Sequence, residues 1–333
     1  MATHFKALWI EENQDGTFSR SIKEVPIESL PENDVLIRVH YSSLNYKDGL
    51  SASGNKGVSR YYPFIPGVDA AGIIETDDSG AFKSGQKVII TGYDLGMNTF
   101  GGFGEYIRVP ASWVVPLPDE LSLFESMVFG TAGYTAAYGV RRLQRELITP
   151  DSGPILVTGA TGGVGCMAVY QLAQLGFEVI AATGKLDRQE ALEALGASSV
   201  IHRDDVYPDK NRLLNAGIFA GAIDTVGGKM LEAIIPQVQP DGAIACCGNI
   251  LGHELNTNIY PFILRGLSLL GIDSGITKMP LRLSIWNDIA EVQTSFPEEW
   301  VKKVGLNDLM TEIDLILAGK QTGRVVLKHD VAY

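Results

Sequence analysis

The stretch Val157-Thr158-Gly159-Ala160-Thr161-Gly162-Gly163-Val164-Gly165 decides how this chain is read. It continues the apolar run Ile155–Thr158 and opens an uncharged segment, Val164–Leu175, whose pattern predicts a helix. Strand, glycine turn and helix in that order form the setting in which a pyrophosphate is held. Glycines let the backbone turn tightly and approach the phosphates, whose charge then faces the helix N-terminus. The strict G-x-G-x-x-G spacing is not met, because Gly163 is inserted. A plain tight turn between strand and helix is the competing reading, and the next strand weighs against it.

That next strand, Val179–Ala182, runs into Thr183-Gly184-Lys185. Sites for NAD usually place Asp or Glu here, to accept from the ribose hydroxyls. A carboxylate would repel a 2′-phosphate, whereas a hydroxyl, a free amide and an ammonium all donate to it. Arg203, just beyond the run Ser199–His202, adds a second charge, and Arg188 is a weaker candidate. The combination predicts NADPH. The bland alternative makes Lys185 a solvated loop lysine and Arg203 a surface residue.

Outward from the loop, apolar runs and helical patterns alternate. Asp187–Leu195 reads as a helix with Asp187 and Glu190 spaced like a capping pair and Gly196 past its end. Ser199–His202, Ala222–Thr225 and Ala243–Cys246 read as strands, and alternation of this kind implies a parallel sheet covered by helices. Before the loop, Val35–Tyr41, Gly72–Glu75, Lys87–Thr91 and Glu105–Val109 read as short strands between turn clusters, β-rich and barrel-like. After it come a strand-like Leu267–Gly271, helices around Leu281–Ile289 and Leu306–Leu317, and a closing strand Arg324–Lys328. The fold class is therefore α/β: a Rossmann-type doubly wound sheet plus a β-rich partial barrel. Residues 1–124 are expected to form the first part of the β-rich domain and 125–266 the nucleotide domain. Residues 267–333 are expected to return, completing the sheet edge and the first domain.

Composition excludes several classes. The 333 residues carry 27 Lys+Arg against 39 Asp+Glu, a net charge of −12, which disfavours nucleic acid and anionic membranes as partners. Gly153–Phe177 lacks charge, but its glycines suit a strand–turn–helix better than a membrane span. The N-terminal apolar run is too short for a signal peptide. Three cysteines, Cys166, Cys246 and Cys247, build no disulfide framework and predict a reducing, cytoplasmic location. Histidines 4, 40, 202, 253 and 329 lie far apart, with no His-x-x-x-His and no C-x-x-C, so no metal site is expected. Gly271-Ile272-Asp273-Ser274-Gly275 has the wrong spacing for a nucleophile elbow, and Gly80–Lys87 has Gln86 where a phosphate loop needs Lys.

Two further segments carry a resemblance. Ser42-Ser43-Leu44-Asn45-Tyr46-Lys47-Asp48 and Pro63-Phe64-Ile65-Pro66-Gly67-Val68-Asp69-Ala70-Ala71-Gly72 resemble motifs of the medium-chain dehydrogenase/reductase superfamily. Val68 stands where the zinc alcohol dehydrogenases of that superfamily have a histidine ligand, and the four-cysteine lobe is absent, so the chain resembles the zinc-independent quinone-oxidoreductase branch. The runs SSLNYKD, GTAGYTA, VTGATGGVG, GAIDTVGG, PFILRG and GIDS are similar to the acrylyl-CoA reductase (NADPH) group. The resemblance implies a GroES-like first domain. It implies NADPH contacts from Tyr46, Thr161, Gly162, Gly163, Val164, Thr183, Gly184, Lys185, Arg203, Asn249, Ile263 and Ser274. The family has a leucine where Asn249 stands.

Chemistry follows from the missing metal ligands. A ketone reduced by hydride becomes an alkoxide that needs a metal or strong acid. A conjugated thioester instead spreads the charge over an enolate, which hydrogen-bond donors stabilise. Asn45 and Tyr46 are the candidates for positioning and donation, with Asp48 supporting their loop. The expected activity is NADPH-dependent reduction of an activated C=C bond, acrylyl-CoA to propionyl-CoA. A quinone or general enone reductase, or a non-catalytic NADPH-binding protein, are the rivals. Ser268–Ile272, apolar and placed at a sheet edge by the resemblance, predicts a homodimer.

Overall fold

The structure is a computed structural model and describes residues 3–207, 212–292 and 296–331. It divides into two compact units. One comprises Met1–Thr131, Gly275–Ala290 and Glu298–Tyr333, the other Ala132–Ser274 and Glu291–Pro297.

The second unit is built on a six-stranded parallel sheet. Its spatial order is Ser199–His202, Val179–Thr183, Ile155–Thr158, Phe219–Asp224, Val238–Cys246, Ser268–Gly271. This is the doubly wound order, which reverses between Ile155–Thr158 and Phe219–Asp224, where such sheets bind ligands at the strand carboxyl ends. All residues of Ile155–Thr158 and Phe219–Asp224 are buried, as strands covered on both faces must be, so they read as continuous apolar runs rather than alternating ones. The Rossmann-type sheet expected from the alternating pattern is present.

The first unit holds a seven-stranded sheet, mostly antiparallel. Val301–Val304, Arg324–Lys328, Val35–Ser43, Asp69–Asp77, Lys87–Thr91 and Val115–Pro116 follow one another, and Tyr106–Val109 pairs with Val35–Ser43. A separate hairpin joins His4–Glu12 to Phe18–Pro26. The closing strand sets Val326 opposite Ser43 and Leu327 opposite Ser42, so the end of the chain pairs with the strand that leads into Asn45. Phe5, Leu8, Ile10, Phe103 and Leu327 form one core of this unit, and Val35, Ile37, Ile74, Ile90 and Ile107 another.

Local details differ from the sequence reading in three places. Asp187 and Glu190 do not cap a helix: Leu186–Arg188 is a single 3₁₀ turn, and the α-helix that follows, Gln189–Ala194, has Arg188 at its N-cap with no side-chain cap. The reason is local, since Arg188 N–H bonds back to Lys185 O and closes a tighter turn before the helix begins. The last helix starts at Leu309 rather than Leu306. Leu123–Arg145 is helical throughout except at Gly130 (φ 50, ψ −154), which breaks it one residue before the chain passes into the second unit. Its residues are apolar around much of its circumference, so no amphipathic stripe announces it.

Candidate active site

Asn45 is the N-cap of the short helix Tyr46–Ser51. Its backbone N–H donates to Asp48 Oδ2 at 2.7 Å, the reach-back of a capping box. Asp48 is fully buried, and its other oxygen accepts from Val68 N at 2.8 Å. Burial first, then the charge of nearby Asp69, pushes the Asp48 carboxyl up to about 7. Asp48 thus ties the helix start to the segment that carries Val68.

The Asn45 side chain is also committed. Its Nδ2 donates to Asp69 Oδ2 at 2.8 Å and to Ser43 O at 3.3 Å, which uses both amide hydrogens. Asn45 is a candidate for positioning and donation; in this arrangement both its amide hydrogens go to the protein, which fits the positioning role. Tyr46 is different. It is 41% exposed, the one member of the Asn45–Asp48 candidates whose side chain reaches outward.

Asp69 was not singled out from the sequence, and its environment shows why it matters. Besides Asn45 it accepts from Ser43 Oγ at 2.5 Å, Thr131 N at 2.9 Å and Thr131 Oγ1 at 2.5 Å. Arg324 Nη2 donates to Ser43 Oγ at 2.9 Å, extending the buried network. Gly130 must be glycine here twice over: φ is positive, and a β-carbon would stand 2.4 Å from Ser43 Oγ and 2.6 Å from Asp69 Oδ2. The signal was Asp69's place in the PGVDAAG run, but partners 26, 24 and 62 residues away are not legible in it.

In the second unit, the glycine loop has the shape a pyrophosphate requires. Gly159 takes φ +58, and Gly162 caps the helix Gly163–Gln174. A β-carbon at Gly165 would lie 2.2 Å from Gly159 O, so the helix can follow the turn this closely only without one. The turn after Phe219–Asp224 is bound to the same place. Thr158 Oγ1 donates to buried Asp224 Oδ1 at 2.7 Å, Gly227 N donates to Asp224 Oδ2 at 2.9 Å, and Thr225 Oγ1 donates to Thr158 O at 2.8 Å. Burial raises the Asp224 carboxyl pKa. Asp224 lies in the GAIDTVGG run, but its partner Thr158 is 66 residues away and is not legible there.

At the end of the adjacent strand, Thr183 is buried. Its hydroxyl lies 3.1 Å from Thr161 Oγ1 and accepts from Lys185 N at 3.1 Å. It shapes the loop from within, whereas the sequence reading had it facing a phosphate. Gly184 is exposed, Lys185 half-buried, and burial lowers the Lys185 pKa. Register sets His202 opposite Thr183, so Arg203 arrives beside Gly184. Of the remaining candidates, Ser274 Oγ accepts from Thr135 Oγ1 at 2.7 Å, Ile263 is exposed on the helix Tyr260–Arg265, and Asn249 is exposed in the loop after Val238–Cys246. Among the described residues no three His, Cys, Asp or Glu side chains gather in a way that would hold a metal.

Comparisons with known proteins agree with this layout. Residues 31–119 match the alcohol dehydrogenase GroES-like domain, and residues 163–284 match a family described as zinc-binding dehydrogenase. A Bacillus subtilis protein named as a quinone oxidoreductase, YhfP, is 42% identical over 332 residues, covering 98% of this chain and all of the relative. The solved structure of Bacillus subtilis yhfP, with NAD bound, matches with TM-score 0.93 over 98% of this chain and all of that one. The acrylyl-CoA reductase AcuI of Ruegeria pomeroyi is 38% identical over 325 residues, covering 97% of this chain and 98% of the relative. The yhdH oxidoreductase of Salmonella enterica, solved in complex with NADP, is 38% identical with TM-score 0.94, covering 97% of this chain and 99% of that one.

Proposed function

This chain belongs to the medium-chain dehydrogenase/reductase family, in the branch of quinone oxidoreductases and acrylyl-CoA reductases, and from that premise we propose an NADPH-dependent reductase that converts acrylyl-CoA to propionyl-CoA. The observation that carries the cofactor half is the strand end Thr183-Gly184-Lys185 with Arg203 beside it, where the sheet offers donors instead of an acidic side chain. A ribose diol alone would be better served by a carboxylate.

NADPH, when bound, supplies a hydride to the β-carbon of the conjugated thioester. The residues of this chain do the rest. The Gly159–Gly165 turn and the N-terminus of Gly163–Gln174 hold the pyrophosphate, and Lys185 and Arg203 hold the 2′-phosphate. Thr161 and Thr183 support that rim from beneath. Tyr46 donates toward the thioester oxygen, where negative charge grows as the double bond is reduced. Asn45 and Asp48 hold Tyr46 in place, and the α-carbon takes its proton from water or a side chain.

We assign the protein a homodimer joined across Ser268–Gly271, the last strand of its sheet, paired on one side only among the described residues. Cys166, Cys246 and Cys247 form no disulfide, which supports a reducing compartment.

The deciding experiment follows NADPH oxidation with acrylyl-CoA, a quinone and a simple enone. Preference for acrylyl-CoA supports the reading. Faster turnover of the quinone or enone would move the assignment to a general reductase, and NADPH binding without turnover would make it a non-catalytic binder.

A further inference from the structure

The buried Asp69 carboxylate gathers four hydrogen bonds from three residues that the sequence scatters. Three of them end on Oδ2, from Ser43 Oγ, Asn45 Nδ2 and Thr131 N, and the fourth reaches Oδ1 from Thr131 Oγ1. Every partner is a donor. Such a set has one stable arrangement, because a carboxylate only accepts.

Its effect on Asn45 is directional. An amide side chain has a donor end and an acceptor end of nearly equal size, so shape alone does not choose between them. A negative charge 2.8 Å away chooses, since a flipped amide would set oxygen against oxygen, and Ser43 O at 3.3 Å favours the same orientation more weakly. The helix that Asn45 caps is six residues long, too short to hold itself together by propagation. Its first residue, Tyr46, therefore stands where the cap puts it. Ser43 is anchored in turn by Arg324, whose Nε donates to Val128 O at 2.8 Å, so the carboxylate rests in a fully bonded nest.

We infer that Asp69 is a positioning residue of this site: its carboxylate fixes the Asn45 amide one way round, and thereby holds the Tyr46 ring for catalysis. The inference rests on the reductase reading for what Tyr46 does, and on geometry alone for how Tyr46 is held.

Asp69→Asn tests it without emptying the nest. The new amide oxygen takes the three bonds of Oδ2, and its NH2 faces the Thr131 hydroxyl, which rotates to accept. What disappears is the charge, so the bond from Asn45 weakens and the preference of its amide for one orientation falls. Asp69→Asn is expected to keep the fold and to lower kcat roughly tenfold or more, by a larger factor than it changes the NADPH Kd. Tyr46→Phe should lower kcat similarly, and the double variant should be no worse than the weaker single one, as residues acting through one another behave. Additive losses, or a fall in NADPH affinity and melting temperature in step with kcat, would overturn the inference. Proton exchange at Asn45 Nδ2, followed by NMR, needs no substrate. Slow exchange in the native protein and fast exchange in Asp69→Asn support it; equal rates overturn it. If the native protein reduces no conjugated substrate, the functional reading falls, and the exchange measurement still decides whether Asp69 holds the cap.

Discussion

Arg203 lies across the backbone of Gly184, close enough that a β-carbon on that glycine would stand 3.2 Å from Arg203 Nε and 3.3 Å from its Cζ. Both residues sit at carboxyl ends of neighbouring parallel strands, and the register of His202 with Thr183 brings them together. Lys185 follows immediately, so two cationic residues stand at one rim.

Cofactor choice follows from that rim. Lys185→Ala should weaken NADPH binding and leave NADH nearly unchanged, measured by fluorescence titration of both. A charge-assisted hydrogen bond is worth about 1.5–3 kcal/mol, roughly ten- to a hundred-fold in Kd. Arg203 is expected to contribute less, because its side chain is 63% exposed and already leans toward Asp204 at 3.8 Å. Equal losses for the two nucleotides would show that Lys185 does not touch the phosphate.

Metal content is the second test. Val68 carries no metal-ligating side chain, and its backbone N–H is given to Asp48. Chelators should leave turnover intact, and elemental analysis should find no stoichiometric zinc. One zinc per chain, lost together with activity, would refute this.

Acid should destabilise the protein through two buried histidines. His329 Nε2 lies 2.8 Å from Gly102 O, and His329 N–H donates to His40 O at 3.0 Å. Burial lowers each imidazole from 6.5 to about 4. Between those values the unfolded chain binds protons that the folded chain refuses, so stability is lost as pH falls from 6.5 toward 4. Asp48 works the other way. Raised from 3.8 to about 7, it keeps a proton in the folded state, and its contribution declines as pH rises through that window. Asp224 and Glu105, raised by burial as well, act in the same sense as Asp48, so the histidine contribution is read from the difference between the native protein and His329→Gln. Melting temperature recorded against pH should fall on the acid side, and His329→Gln should flatten the fall; an unchanged slope in the variant would refute the assignment.

Assembly is tested at the sheet edge. Leu269 is half-buried and Leu270 buried on the last strand, although Arg142 Nη1 reaches Gly271 O at 3.4 Å and covers part of it. Light scattering should give about twice the 36.0 kDa of one chain, and Leu269→Lys should shift the mass toward the monomer. A native monomer at all concentrations would end the proposal.

Where information is local, reading residues in order was enough. Lys87–Thr91, Ile155–Thr158, Ser199–His202 and Arg324–Lys328 have the bounds expected of them, because a short run of strand-forming residues between turn residues is enough to place a strand. The glycine loop was legible for the same reason: strand, turn and helix are contiguous, and the glycines announce a backbone no other residue permits. The kinked helix Leu123–Arg145 was not, since its residues are apolar on most sides and leave no period. Nor were the roles inside the Asn45–Asp48 segment. Whether Asn45 donates to a substrate or to the protein depends on Asp69, and whether Asp48 is reactive depends on Val68. Those partners stand 24 and 20 residues away, and only a strand pairing of Val35–Ser43 with Asp69–Asp77 brings them within reach. A hydrogen bond falls off within an ångström, so chemistry named by residue type is settled only when folding sets which donor meets which acceptor.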